Sequence, residues 1–211
     1  MSDKPAKRKR LGFETVGSIA AMVIGACALF VAWDQAQIMR KQQHASVIPI
    51  LNVTGGFSSD GDGHVMTVSI KNDGIGPAII ESATLTVGGA DITDWPDLRD
   101  RFLPAALRAH YDTSLDSTIG VLAAGERSEA IRFYWPKGEG RDEAFAALKA
   151  RVFSSTDQGA IFSVCYCSVF DRCWRAGAGE TARPQSVKRC EDQGEDVVAR
   201  LLESISNETE E

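Results

Sequence analysis

The chain has 211 residues, 44% of them apolar and 25% charged, with a formal net charge of −6. Once an N-terminal apolar run is set aside, that length leaves room for one substantial folded domain. Residues 47–211 carry 16 Lys and Arg against 26 Asp and Glu, net −10, a balance that repels phosphates and argues against nucleic acid as a partner.

The run from Val16 to Trp33 is eighteen residues without a charge. It is long enough to cross bilayer hydrocarbon as a helix, which satisfies every backbone N–H and C=O within the segment. Lys4, Lys7, Arg8, Lys9 and Arg10 precede it, and only Arg40 and Lys41 follow soon after. Positive residues stay on the cytoplasmic side, so the expectation is a single-pass protein of the inner (cell) membrane. Its N-terminus is then cytoplasmic and its C-terminal domain extracytoplasmic. The basic tail would touch lipid headgroups. Cleavage after Ala26-Cys27-Ala28, or at the lipoprotein-like box Ile24-Gly25-Ala26-Cys27, fits less well, because Leu29, Phe30 and Val31 continue the apolar run. Gly17, Ala21 and Gly25 set small residues on one helix face, which permits close helix approach.

Residues 34–46 contain no Gly or Pro and are rich in helix formers, so the helix is expected to continue into a polar stalk. From Val47 the periodicity becomes alternating. VIPILNVTGGF and HVMTVSIKN read as strands joined at SSDGDG, with Met66, Val68 and Ile70 on one face. Asp60 and Asp62 suggest calcium, but in the EF-hand register the position that needs Glu is Ser69, and a hairpin turn explains the loop better.

Asn72-Asp73-Gly74-Ile75-Gly76-Pro77-Ala78 reads as a tight corner whose glycines permit positive φ angles. After it Ala83, Leu85 and Val87 alternate with Ser82, Thr84 and Thr86. This N-x-G-x-G-P-A corner, with Leu122-Ala123-Ala124-Gly125-Glu126 and the strand-like Ala130–Trp135 after it, resembles bacterial immunoglobulin-like cell-surface modules. Together with the single span, it resembles a family of uncharacterised bacterial membrane proteins with an immunoglobulin-like extracytoplasmic domain. The resemblance implies a fold and says nothing about activity. The expected class is mainly β: an N-terminal transmembrane helix followed by an immunoglobulin-like β-sandwich with short helical insertions.

Between the two motifs, Asp94 can cap a helix carrying Pro96 and Asp97 in its first turn, with Leu98, Phe102 and Leu103 as an apolar stripe that Pro104 ends. This insertion, 94–116, could cover a sheet edge. Alternatively, Trp95, Phe102 and Tyr111 could form an exposed partner-binding patch on it. A second short helix is expected at RDEAFAALKA, then a hairpin of LKARVFSST, the turn DQG and AIFSVCYCSVF. EDVVARLLESI reads as a terminal helix burying Val197, Val198, Leu201, Leu202 and Ile205. The expected boundaries are a basic tail at 1–15, the span at 16–33, a stalk at 34–46, the sandwich at 47–190 and an acidic helix and tail at 191–211.

No catalytic, metal or cofactor motif stands out. His44, His64 and His110 lack metal-ligand spacing, and there is no HExxH, GxSxG or phosphate loop. His110, Asp112 and Ser114 are neighbours in sequence, whereas triads assemble from distant segments. Cys165, Cys167, Cys173 and Cys190 lack paired zinc knuckles, and in an oxidising compartment they favour disulfides. Cys165 and Cys167 share one strand face, so neither bridges the other. An odd loop after Cys167 sets it opposite Cys173 and leaves Cys165 for Cys190. The expected function is a membrane-anchored, non-catalytic extracytoplasmic module that binds a protein or envelope component. A periplasmic sensor or accessory subunit acting through its span is one alternative, and a thiol oxidoreductase is another.

Overall fold

In a computed structural model of the chain, residues 12–45, 47–153, 159–178, 183–191 and 194–208 are described. The basic cluster 4–10, the turn residues Asp157 and Gln158 and the last three residues, 209–211, lie outside them. The chain divides into two units, Met1–Ala45 and Ser46–Glu211.

The first unit is one helix, α1 (Phe13–Ala45), 33 residues and about 50 Å long. The stalk is therefore helical, as its composition predicts. By length and composition the stretch Thr15–Arg40 can cross a bilayer, and none of it is buried.

The second unit is built from short antiparallel strands. In chain order these are β1 (Leu51–Ser59), β2 (Gly63–Asn72), β3 (Ala78–Val87), β4 (Ala90–Asp91) and β5 (Asp112–Leu115). Then come β6 (Gly120–Leu122), β7 (Arg127–Pro136), β8 (Ala160–Cys167), β9 (Cys173–Gly177) and β10 (Gln185–Val187). Three helices accompany them: α2 (Trp95–Phe102), α3 (Arg141–Phe153) and α4 (Val197–Glu208), with a 3-10 turn at Ala105–Leu107. One sheet runs β1-β2-β7-β5 and the other β10-β9-β8-β3-β4, with β6 also on β3. The result is a sandwich-like pair of sheets. Their facing residues, among them Ile70, Leu85, Phe133 and Phe162, form the core, each large side chain contributing about 1.5–3 kcal/mol by leaving water.

The two open sides are closed differently. On one, β1 lies against β8 and β9, and the Leu51 N–H donates to the buried Tyr166 hydroxyl at 3.2 Å. On the other, α2 and α4 pack together against β3, and α4 reaches β5. Asp94 caps α2 by accepting from the Asp97 N–H at 2.8 Å, as its position predicts.

Several expectations are corrected. Leu148–Phe153, read as the first strand of a hairpin, continues α3 instead. Helical spacing lets Phe145 and Leu148 enter the core with Val152 packed against it, which a strand at that point does not offer. β8 pairs with β3 and β9. The insertion 94–116 ends in a strand, β5, paired with β7. The terminal helix expected after residue 190 is present as α4 and belongs to the same unit. Val197, Val198 and Leu201 are fully buried, because α4 fills the gap between the sheets; Leu202 points outward, 48% exposed. On β2, Met66 and Ile70 are core and Val68 packs against it, as the alternation predicts; the register shift between Val68 and Ser69 places the extra residue, Ala130, on β7.

The corner after β2 is also not what its glycines suggest. Neither Gly74 nor Gly76 has positive φ. They are required for close approach: a Cβ on Gly74 would strike the backbone of Ile48 and Pro49, and one on Gly76 the backbone of Val47. Asn72, wholly buried, holds this junction. Its Nδ2 donates to the carbonyls of Gly76 (2.8 Å) and Leu122 (3.0 Å). Its Oδ1 accepts from the N–H groups of Gly74 (3.0 Å) and Ile50 (3.3 Å). Its own backbone N–H donates to Glu126 O and its carbonyl accepts from Gly125 N–H, where Gly125 does adopt positive φ. The two sequence motifs, 72–78 and 122–126, are thus halves of one hydrogen-bonded junction.

Candidate functional site: an outer polar groove beside the cysteine cluster

The β8–β9 register places Cys167 opposite Cys173 across a loop of residues 168–172, an odd number. Disulfides join Cys167 to Cys173 and Cys165 to Cys190, the two pairs that strand geometry predicts. All four cysteines are buried and form a small cluster of their own with Val187 packed against it. The sulfurs of Cys167, Cys173 and Cys190 lie within 4.8 Å of one another, so the two bridges stack. As disulfides they are neither thiolate ligands nor nucleophiles; the chemistry open to them is thiol–disulfide exchange, and burial limits access to it. Cys27, on α1, is exposed and free.

The aromatic patch expected at Trp95, Phe102 and Tyr111 is not a surface. Trp95 is 1% and Phe102 4% exposed. Trp95 stacks on Phe133 at 5.5 Å and meets Tyr111 at 5.2 Å, so these rings fill the space between the sheets. Phe102 lines an apolar cavity of about 60 Å³ between the sheets, smaller than cavities that hold a benzene ring. The aromatics of the insertion are core because α2 lies inside the sandwich's open side.

A row of side chains that sequence reasoning missed lies at the start of β2. Ser59 and His64 are a cross-strand pair closing the β1–β2 hairpin, with Ser59 Oγ 2.8 Å from His64 Nδ1. His64, 3% exposed, stacks on Phe145 of α3 at 4.5 Å, and its Nε2 comes within 2.8 Å of the Asp142 carboxylate. The contact is that of an ion pair without in-line hydrogen-bond geometry at Nε2. The Lys137 ammonium, 2.7 Å away, holds the Asp142 carboxyl below the usual carboxylate range, and His64 adds to the effect. Acyl-transfer chemistry needs N–H donors aimed at an oxyanion. The N–H groups of the adjoining turn, at Asp62 and Gly63, are both taken by the Asp60 carboxylate. These bonds, Gly63 first, hold the Asp60 carboxyl below its ordinary value. The row ties the hairpin to the start of α3. Ser59 opposite His64 could be deduced from the hairpin; Asp142, far along the chain, could not.

His110, Asp112 and Ser114 lead into β5, with His110 at φ 56°. No hydrogen bond links them among the described residues.

The second sheet's outer face carries a groove of about 490 Å³. Its floor follows from the strand alternation: Ser82, Thr84 and Thr86 of β3 point away from the core, and Ser163 of β8 stands opposite Thr84. Among the described residues none of these four hydroxyls has a hydrogen-bond partner in the protein, and none is a buried unpartnered atom, so they face solvent. Asp91, Arg175, Glu195 and Arg200 border it. Arg175 of β9, opposite Cys165, is exposed and without an ion pair among the described residues. Arg200 of α4 reaches Glu195 at 3.4 Å while its Nε is buried without a partner. Asp91 of β4, opposite Thr86, is exposed and likewise unpaired among the described residues; β4 and the 194–196 segment that leads to Arg200 flank β3 on the same side, away from β8. The hydroxyl face was legible as strand alternation; Asp91 and Arg200 come from separate elements that sequence does not align.

The chain matches no protein-family model and no curated protein.

Proposed function

We propose that the protein is a single-pass inner-membrane protein with a cytoplasmic N-terminus, whose immunoglobulin-like extracytoplasmic domain is a non-catalytic binding module. The reading rests above all on one conjunction: a 33-residue helix with an uncharged apolar core, followed by a domain with two buried disulfides. Disulfides persist outside the reducing cytosol, and the basic residues before the helix favour retention of that end inside. The two-sheet architecture, and the Asn72 junction that unites the motifs shared with immunoglobulin-like modules, support the fold assignment. The partner is a protein or envelope component, with membrane lipid around the helix.

Paired C-terminal fusions test the topology. Alkaline phosphatase should be active and green fluorescent protein dark; the reverse pattern sinks the proposal. Crosslinking in native membranes then tests the role. Adducts through the outer domain support a binding module, and adducts through α1 alone favour an accessory subunit acting through its helix.

A further inference from the structure

We infer that the end of the outer domain where the chain enters it is a lipid-contact surface, resting Ile75, Val121, Val169 and Phe170 on the bilayer headgroups. This deepens the anchored-domain reading proposed above and rests on it.

The strands define that end. β1 starts there and β2 ends there, with Leu51 opposite Asn72. The corner that follows bonds back to the entering chain: the Ile75 N–H donates to Ile48 O at 3.1 Å, and the Asp73 N–H to Ile50 O at 2.8 Å. β6 ends at the same level, with Leu122 opposite Ala78, and so does β8, whose Cys167 lies opposite Ile79. The loop 168–172 therefore belongs to this end as well.

Exposed apolar side chains gather here. Ile75 is 67% and Val121 68% exposed, and Ile50, Val169 and Phe170 are exposed beside them. Val121 and Cys167 flank Ile79 on its two sides, about 10 Å apart across two strand spacings, so the group crosses the sheet end without a gap. Such a cluster marks a contact with membrane or protein. The opposite end differs. Its turns expose Asp60, Asp62, Lys137 and Glu139, with Ile161 the apolar side chain exposed on β8 near that end.

The tether decides for lipid. The stretch Thr15–Arg40 has 26 residues, about 39 Å as a helix, which matches a bilayer with its headgroup layers. From Arg40, α1 continues only to Ala45, about 8 Å, and the domain unit begins at Ser46. The entering end is thus held within about 10 Å of the lipid surface, an effective concentration that a diffusing partner does not match. Charge agrees. Lys71, Arg127 and Arg172 offset Asp73, Glu126 and Asp171 around the patch, so the net −10 of residues 47–211 is carried elsewhere and anionic headgroups are not repelled.

The full chain, reconstituted in phosphatidylcholine vesicles, tests this with an environment-sensitive fluorophore on one cysteine at a time. The sites are native Cys27, then Ile75→Cys, Val121→Cys or Glu139→Cys in a Cys27→Ser background; the disulfide cysteines, unreduced, do not react. A lipid carrying a mid-chain nitroxide should quench the label at Cys27. A headgroup nitroxide should quench the labels at 75 and 121 by about twofold or more over the label at 139. Val121→Asp with Val169→Asp, both at exposed side chains, should about halve the quenching at 75. Equal quenching at 75, 121 and 139 overturns the inference, as does quenching at 75 that the paired Asp variant leaves unchanged. A blue-shifted label at 75 that no nitroxide lipid quenches would give the patch to a second copy of the chain and also overturns it. If Cys27 is not quenched, the anchored reading fails and this inference with it. If Cys27 is quenched and the domain labels are not, the anchor stands without the contact.

Discussion

Strand β2 buries a polar residue near each end, and the two are treated in opposite ways. At its exit, Asn72 uses both amide hydrogens and both oxygen acceptor positions, and the disulfide-linked strand β8 pairs with β3 just beyond the corner. At its entry, His64 satisfies Nδ1 through Ser59 and leaves Nε2 beside Asp142 without an in-line bond. A buried polar group that makes all its bonds specifies the chain path around it; one that makes half of them is replaceable. The corner is thus where this fold is determined, and the hairpin end is where it tolerates change.

The comparison can be broken most severely at Asn72. Asn72→Ala leaves two carbonyls and two N–H groups of three chain segments without partners, and should destabilise the folded domain by about 3 kcal/mol. Denaturant unfolding of the full chain in detergent, followed by tryptophan fluorescence, reads the change. Asn72→Asp should do little better, since it keeps the acceptor and loses both donors. A loss below about 1 kcal/mol would mean that the junction does not organise the fold.

The disulfides rank next. Removing Cys165–Cys190 with paired alanines frees a closure of 25 residue positions and should cost about 3 kcal/mol; removing Cys167–Cys173, a separation of 6, should cost about 2 kcal/mol. The order, read from the same unfolding experiment, tests whether loop length governs the contribution of each bridge.

How far such features are legible in sequence differs in the same way. The cap at Asp94 and the cysteine register were visible because each is set by neighbours within a few residues or by strand parity; the corner at 72–78 was visible as a turn, while the bonds of Asn72 to Ile50 and Leu122 come from distant segments. The fate of Trp95 and Phe102 was not, because whether an insertion lies outside a sandwich or between its sheets depends on where α4 packs. Leu148–Phe153 misled for a related reason: Arg-Val-Phe alternates as a strand would, and the burial of Phe145 and Leu148 in a helical register decides otherwise. The groove falls between the two. Its hydroxyl rows were readable from alternation, while its charged residues come from β4, β9 and α4, brought together by tertiary structure.

At the hairpin end the expected effects are small. His64→Phe keeps a ring against Phe145 and removes the out-of-line Nε2 contact, so stability should stay within about 1 kcal/mol of the parent, with a gain as readily as a loss. A larger loss would show that the Asp142 contact matters. The smallest effect concerns acid. The backbone bonds from Gly63 and Asp62 depress the Asp60 carboxyl below 3.8, so its contribution is full above that pH and disappears as pH falls through the lower folded value. Asp60→Ala should therefore unfold with a shallower dependence on pH below 3.8 than the parent, as followed by acid titration of fluorescence.

The spacing of the cysteines also bears on which thiol finds which partner. Three of the four cysteines lie within nine positions of one another, and the fourth arrives seventeen positions after Cys173. While Cys190 is absent, Cys165 and Cys167 compete for one oxidising partner, and only the β8–β9 ladder distinguishes them by setting Cys167 opposite Cys173. The hydrogen-bonded register thereby acts as an editor of covalent chemistry. A short bridge closed before Cys190 arrives would hold the ladder in place and leave Cys165 as the single thiol for Cys190. A chain whose ladder slips by two residues would close Cys165 onto Cys173 and strand Cys167 in its place, so the fidelity of oxidation in this protein is inherited from the fidelity of strand pairing.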